Sequence, residues 1–380
     1  MIAFGSLEFF LLLALMCLPA LALGLAGRRI QWWGMASTVI VLGALLWDTP
    51  RQLALFLAFV VGQFVLVRLH LWWVTTRGRE AAWERRLVVA LALLPMALVK
   101  LAGVAGHPHL TFLGVSYLSF RAIQVILEIS DGLITRVRSL DYLYFLTFFP
   151  SVASGPIDRS RRFDQDLASV PTPAEYAAMV LKGIRFVALG AIYKFVGAAI
   201  FARGLGTLGT GFVETWKYMY VYGLDLFFDF AGYSLMAVGV SYFFAIRTPV
   251  NFRMPFLSES IKDFWNRWHI TLSFWFRDYI YSRMVMAIFK RKLISDRARA
   301  GHVAVIANMG IMGIWHGTGI NFLLYGLYHG VLLALTDVYE RRVGWHKRLK
   351  NVLWYRLVMI AVTFHLVMFS FLIFSGRLTS

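Results

Sequence analysis

The sequence of 380 residues has little cysteine and little charge. Cys17 is its one cysteine, so the chain cannot form an internal disulfide, a cysteine zinc cluster or a Cys–Cys redox pair. Only 15% of the residues are charged, against roughly 25% in a soluble protein. These shortages exclude a soluble enzyme, a disordered tail and a nucleic-acid binder with a solvated basic face.

Long apolar runs fill most of the chain, and 59% of its residues are hydrophobic. About 20 apolar residues in a helix cross the hydrocarbon core of a membrane. We predict nine spans: Phe4–Ala26, Trp32–Trp47, Leu53–Val74, Leu87–Ala105, Met179–Phe201, Tyr218–Ala245, Val303–Ile320, Phe322–Tyr339 and Val352–Phe374. The fold class is therefore an all-α polytopic membrane protein.

Three further segments are apolar or aromatic but interrupted by polar residues. They are Phe112–Ile129, Tyr142–Val152 and Phe256–Phe289. Polar groups at membrane depth are tolerated only inside protein, so we predict short, tilted or re-entrant helices here. The expected architecture is a single helical membrane domain over residues 1–380.

The 38 Lys and Arg residues outnumber the 20 Asp and Glu residues, and many of them form short clusters. The side that carries these clusters is predicted to be cytoplasmic, which places both termini outside. The first apolar run lacks a signal-peptide cleavage pattern, so it is expected to stay as a helix. The clusters are Arg28–Arg29, Arg77–Arg86, Lys290–Arg299 and Arg341–Lys350.

His316 is the first candidate for chemistry. It lies in the stretch Met312–Gly319, where small residues would let backbone approach a ligand. A desolvated histidine stays neutral, which is the state that a general base needs. The alternative is a structural histidine bonded to a nearby carbonyl.

His269 is the second candidate, at the end of Asp263–His269. Asn266 and Arg267 supply hydrogen-bond donors beside it, and Asp263 and Arg267 share a helix face at a spacing of four. The alternative is a buried polar network that stiffens a re-entrant segment.

Asp225 and Asp229 form a third group, four residues apart on one helix face. Two such carboxylates could relay protons or bind a cation. Pairing with a buried arginine such as Arg267 or Arg277 is the favoured interpretation.

The fourth group is Phe148–Arg162, in which Ser154, Gly155 and Pro156 give a turn signal. Ser154 lies in no nucleophile elbow, so a hydrolase triad is not indicated. The other histidines lack polar company and are predicted to be structural or interfacial: His70, His107, His109, His302, His329, His346 and His365.

Several of these stretches resemble the membrane-bound O-acyltransferase superfamily. The elements are Asn-Arg-Trp-His at Asn266–His269, Ser-Phe-Trp-Phe-Arg-Asp-Tyr at Ser273–Tyr279, and Gly-Ile-Trp-His-Gly at Gly313–Gly317. The stretches Phe112–Gly132 and Phe148–Phe163 are most similar to the members that move D-alanine towards teichoic acids. Alginate-acetylating members usually have Ala-Gly-Pro-Ile where this chain has Ser-Gly-Pro-Ile. The resemblance covers a core of about residues 112–335.

The resemblance implies roughly 11 transmembrane helices plus short re-entrant or horizontal helices around a central tunnel. It also implies two catalytic histidines, which map onto His269 and His316. His316 would be the base for the acceptor hydroxyl, and His269 would orient or polarise a thioester. Residues lining or supporting the tunnel would be Asn266, Arg267, Trp268, Trp315, Gly317, Ser154, Gly155 and Pro156. The family needs no metal and no bound cofactor.

The resemblance also implies partners. The acyl donor would be the 4′-phosphopantetheine arm of an acidic D-alanyl carrier protein on the cytoplasmic face, docked near Lys290, Arg291 and Lys292. A small membrane peptide and an extracytoplasmic transferase are further expected partners, the surroundings are lipid, and no nucleic acid is involved. The location would be a bacterial plasma membrane. Two alternatives remain, an O-acetyltransferase of an exported polysaccharide and a solute transporter that uses Asp225 and Asp229.

Overall fold

The structure is a computed structural model, and it describes residues 6–78, 80–106 and 111–379. These residues form helices and no strand. The α-helices are α1 (Leu7–Leu25), α2 (Gln31–Leu46), α3 (Pro50–Arg77), α4 (Ala82–Val104), α5 (Val115–Ser130), α6 (Ser139–Thr147), α7 (Ser160–Ala168), α8 (Pro173–Ala191), α9 (Ala198–Leu205), α10 (Phe212–Phe243), α11 (Ile261–Trp265), α12 (Ile270–Phe276), α13 (Ser282–Lys290), α14 (Arg297–His316), α15 (Ile320–Arg342), α16 (Gly344–Leu349) and α17 (Leu353–Phe374).

Seven helical segments in the described part of the chain are long and apolar enough to cross a membrane. A π-helical turn at Ile192–Gly197 joins α8 and α9 into one of them, Pro173–Leu205. The chain is therefore a multi-pass membrane protein. The seven segments are α1, α3, α4, α8–α9, α10, α15 and α17.

Two of the nine predicted spans do not reach this standard. The run Trp32–Trp47 forms α2, which has only 16 residues. The run Val303–Ile320 forms α14, which ends four residues early at His316 and begins with two arginines. The total of roughly 11 spans therefore stays a prediction. His107 and His109 lie outside the described residues.

The described residues group into two compact units. The first contains the described residues of the ranges 6–190 and 234–249. Its centre is α5, in which every residue from Tyr117 to Ile129 is buried, and α3 and α4 pack against it. The prediction of short helices inside the protein at Phe112–Ile129 and Tyr142–Val152 therefore agrees with α5 and α6.

Arg121 explains why a charge interrupts the apolar run of α5. Its side chain is 1% exposed. It donates to the carbonyl oxygens of Phe145 and Leu146 at 3.0 Å each, and to the carbonyl and hydroxyl oxygens of Ser151 at 2.9 and 2.6 Å. The carbonyls at the end of a helix lack partners within that helix. Arg121 therefore satisfies the buried end of α6.

The second unit contains residues 191–233 and 250–380. In it α14 and α15 form the most extensive helix pair, α17 packs on α15, and α11 contacts both α15 and α17. The segment Phe256–Phe289 is folded as the short helices α11, α12 and α13, with a π-helical turn at Arg277–Tyr281. That agrees with the short helices predicted there.

Candidate active site

His316 is the last residue of α14 and lies in the second unit. Gly317 follows in an extended conformation, so the chain leaves the helix directly after the imidazole. The side chain is half-buried. Its ring is 5.3 Å from that of Phe374 and 6.0 Å from that of Tyr325, both edge-to-face. Aromatic rings thus hold His316 at the helix end while one part of it stays accessible.

The glycines around His316 serve helix packing. A Cβ on Gly313 would lie 2.2 Å from the carbonyl oxygen of Phe322, and a Cβ on Gly326 would lie 2.2 Å from that of Met309. A Cβ on Gly317 would meet the ring of Phe322 at the same distance. Small residues four apart let two membrane helices approach closely. The protein itself, and not a ligand, therefore fills the space that the sequence had suggested as an approach to the backbone.

His269 lies in a tight turn between α11 and α12. Its backbone is left-handed, with φ 42° and ψ 50°, a conformation uncommon for residues other than glycine. The side chain is 3% exposed and its ring is 4.8 Å from that of Phe230 on α10. Such backbone persists only where the surroundings enforce it, and it often marks a functional position.

Asn251 holds the backbone of this turn in place. Its carbonyl accepts from the amide of Ile270 at 2.9 Å. Its side-chain Oδ1 accepts from the hydroxyl of Thr271 at 2.6 Å and from the Thr271 amide at 3.3 Å. Asn251 is 1% exposed. It therefore holds both residues that follow His269, a role that nothing in its local sequence indicated.

The three residues before His269 differ in their surroundings. Asn266 is exposed, and Arg267 is half-exposed and pairs with Asp263 at 2.8 Å, as its spacing predicted. Trp268 is 5% exposed and packs against the rings of Phe252, Phe264 and Phe371. Trp268 thus anchors the turn, while Asn266 and Arg267 lie nearer its surface.

His269 and His316 lie close enough for their charges to interact. One imidazole is buried and the other is half-buried. Trp315, beside His316, has its ring 4.6 Å from the imidazole. Two neighbouring histidines can provide a base and a hydrogen-bonding group for acyl transfer.

His329 was predicted to be structural, and it lies closer to this site than its sequence suggested. It is fully buried on α15, and its Nδ1 accepts from the indole N–H of Trp265 at 3.3 Å. Its ring is 4.8 Å from Tyr325, which also contacts His316. The spacing Gly326–Gly330 around it was the available signal, since it matches Gly313–Gly317 around His316.

The arginine partners predicted for Asp225 and Asp229 are wrong. Lys194, on the π-helical turn after α8, forms an ion pair with Asp229. It is also close enough to Asp225 for their charges to interact. Arg267 is engaged by Asp263 instead, and Arg277 pairs with its neighbour Asp278 at 2.9 Å. The aspartate partner is thus a lysine from the π-helical turn, 35 residues away in sequence, and not an arginine.

The sequence model of the membrane-bound O-acyltransferase family matches residues 39–376. That range contains both histidines and nearly all of the described helices. The chain belongs to the membrane-bound O-acyltransferase family. It is an acyltransferase.

Two teichoic acid D-alanyltransferases are similar to this acyltransferase over nearly their whole length. The teichoic acid D-alanyltransferase of Bacillus subtilis (strain 168) is 38% identical, over 99% of this chain and 98% of its own. That of Lacticaseibacillus rhamnosus is 38% identical, over 98% and 96%. A probable alginate O-acetylase of Pseudomonas syringae pv. tomato is 30% identical, over 70% of this chain and 49% of its own.

The remaining predicted site residues of the acyltransferase are divided between the two units. Ser154, Gly155 and Pro156 belong to the first unit, where Gly155 packs against Ser151. Lys290, Arg291 and Lys292 are exposed in the second unit at the end of α13. Their roles in a tunnel and in carrier docking stay predictions.

Several histidines outside the motifs have ordinary partners. These contacts fit the structural roles predicted for them. His70 bonds with Ser130 at 3.1 Å, His302 with Asp337 at 2.9 Å, His346 with Tyr355 at 2.8 Å, and His365 with the carbonyl of Ala361 at 2.7 Å.

Proposed function

We propose that this acyltransferase transfers D-alanine to a hydroxyl group in the synthesis of D-alanylated teichoic acid. The observation that carries this proposal is similarity over 98–99% of the chain to teichoic acid D-alanyltransferases that it matches almost end to end. The alginate O-acetylase matches over 70% of the chain only. Selectivity for the acyl group depends on the whole acyl-binding region, so full-length similarity favours D-alanine.

The donor in this proposal is a thioester on the phosphopantetheine arm of an acidic carrier protein. A thioester is already activated, so the protein has to supply positioning and proton transfer only. The exposed cations Lys290, Arg291 and Lys292 would attract an acidic carrier. The acyl group would pass from the cytoplasmic side to an acceptor outside.

His316 is the general base of the proposed reaction. Its imidazole takes the proton of the acceptor hydroxyl as that oxygen attacks the thioester carbonyl carbon. The C–S bond then breaks, the phosphopantetheine sulfur leaves and takes a proton, and an ester remains. His269, buried and close to His316, orients the carbonyl or stabilises the developing oxyanion. The accessible position of His316 supports its assignment to the acceptor side.

The test uses membranes that contain the full-length chain, with isotope-labelled D-alanine, its ligase and the charged carrier. Mass spectrometry of the acylated product should find labelled D-alanine attached as an ester. His316→Ala should remove this signal while the protein still inserts. His365→Ala is the matched control, because His365 is an exposed histidine bonded to its own helix.

Two results would contradict the proposal. Retained D-alanylation by His316→Ala would remove this residue from the chemistry. A labelled acetyl group in the product, with no D-alanine, would favour an O-acetyltransferase, the second candidate that the 30% identity to the alginate O-acetylase supports.

A further inference from the structure

The first unit contains a cavity of about 770 Å³ that is separate from the histidine motifs in sequence. Its walls come from the start of α2, the last turns of α3, the segment 135–138 and the start of α6. Four arginines line it against a single aspartate: Arg29, Arg68, Arg136, Arg138 and Asp141. The cavity therefore has an excess of positive charge.

Part of this charge has no partner in the protein. Asp141 is engaged by Gln31 at 2.5 Å and by Arg138 at 2.8 Å. Arg68 donates one hydrogen bond, from Nη1 to the carbonyl of Val137 at 2.9 Å. Among the described residues, the Arg29 and Arg136 side chains have no hydrogen bond or ion pair. Both are exposed and both line the cavity, so they are available to an anion.

The backbone adds to the attraction. Gln31 begins α2 and Ser139 begins α6, and both residues line the cavity. Neither helix has a side-chain cap at this end. The first amides of a helix carry a partial positive charge and point outward, which suits a phosphate oxygen. Two uncapped helix starts and four arginines thus face the same space.

Two tryptophans place the cavity at a membrane surface. Trp32 and Trp72 line it and are 62% and 60% exposed. Exposed tryptophans collect where lipid headgroups meet the hydrocarbon core. Trp72 lies five residues before the end of α3, about 8 Å along the helix axis. That end carries Arg77, on the side predicted to be cytoplasmic.

We propose that this cavity binds the phosphate headgroup of an anionic phospholipid, with its acyl chains along the exposed face of α3. A basic pocket between membrane helices on the cytoplasmic side is a known arrangement for such headgroups. The arginines and helix starts hold the phosphate, and the tryptophans contact the glycerol and upper chains. A lipid is favoured over free phosphate because the exposed rings of Trp32 and Trp72 can contact the apolar part of a lipid, whereas a small ion would leave them without a contact. The site is additional to the proposed D-alanyl transfer and does not depend on it.

The experiment uses the full-length protein, purified and delipidated in a neutral detergent, and native mass spectrometry of added lipids. We expect phosphatidylglycerol to bind at least about fivefold more tightly than phosphatidylcholine. Arg29→Gln combined with Arg136→Gln should remove most of this preference. Arg136→Gln alone should remove part of the preference for phosphatidylglycerol. Because Arg136 lies in a loop, this single variant tests the site even if the double variant does not fold.

The control variant combines Arg51→Gln with Arg185→Gln. It loses the same charge from exposed arginines outside the cavity, and Arg51 lies about 25 Å from Arg68 along the same helix. It should keep the preference for phosphatidylglycerol.

Equal binding of both lipids by the unchanged protein, or an equal loss of preference in the control variant, would overturn the proposal. Binding of glycerol phosphate as tight as that of the lipid would replace the lipid with a soluble anion. Loss of carrier-protein binding in the double variant, with the lipid preference intact, would assign the arginines to the carrier instead.

Discussion

Trp265 donates its indole N–H to Nδ1 of His329 at 3.3 Å, between two fully or nearly fully buried rings. The bond connects the last residue of α11 to the middle of α15. Trp265 directly precedes the Asn266–His269 turn, and α15 packs on the helix that ends at His316. One side-chain bond thus ties together the elements that carry the two motif histidines.

We expect Trp265→Phe and His329→Phe each to lower both stability and transfer activity. Each removes one partner of a buried hydrogen bond, and the group left behind has no water to replace it. A double-mutant cycle measured by thermal unfolding in detergent should give a coupling of about 0.6–2 kcal/mol. Tyr328→Phe is the control, because it removes a bond from α15 to the carbonyl of Leu366 on α17 and leaves α11 untouched. Full activity in Trp265→Phe would limit this bond to stability.

The division of labour between His269 and His316 predicts different pH responses of their variants. Loss of a general base lowers the rate about 10²–10⁴-fold. Hydroxide can partly replace that base, so the residual rate of His316→Ala should rise with pH by up to about tenfold per unit. The residual rate of His269→Ala should be flat, because hydroxide cannot orient a carbonyl. Initial rates across a range of buffers measure this, and matching slopes in both variants would contradict the assignment.

The bond from the Thr271 hydroxyl to Asn251 predicts an effect on catalysis without a large effect on folding. Thr271→Val keeps the side-chain shape and removes the donor, at a cost of about 1 kcal/mol. We expect kcat to fall roughly tenfold, because a small displacement of His269 misplaces the reacting groups. Thr271→Ser keeps the hydroxyl and should retain most of the activity. If the valine and serine variants have equal kcat, this bond does not position His269.

Because α14 and α15 are in close contact, one added methyl group between them should lower the stability of the protein. Gly326→Ala would place a Cβ 2.2 Å from the carbonyl oxygen of Met309. The helices would have to separate, at a cost of about 1–3 kcal/mol, and His316 would move with α14. Gly62→Ala, within α3 and with nothing within 4 Å of the new Cβ, should be neutral or stabilising by up to about 1 kcal/mol. Thermal unfolding of the two variants compares them directly.

Much of the architecture was predictable because membrane helices have a simple signal. Seven of the nine predicted spans are confirmed as long apolar helices, since each bilayer crossing needs a run of fixed length. The exceptions are α2, which has only 16 residues, and α14, which begins with two arginines and ends at His316. The hydropathy of a run does not show where its helix begins and ends, so it does not distinguish a short helix from a span.

The polar partners were less predictable. The Asp263–Arg267 pair followed from a spacing of four within one segment. Lys194 and Asp229 are 35 residues apart, so their pairing depends on how two helices align. The bond between Asn251 and Thr271 spans 20 residues, so it too depends on the tertiary fold.

The sequence by itself determined the class of protein, most of its spans and the two motif histidines, because these depend on composition and local spacing. Only the tertiary structure decided that His269 is buried in a left-handed turn, that glycines bring α14 and α15 into contact, and that Trp265 bonds with His329. Only the fold brings arginines from the segment before α2, from α3 and from the segment before α6 to one cavity. Such features arise from side chains far apart in sequence, whose approach is fixed by helix packing and not by any local pattern.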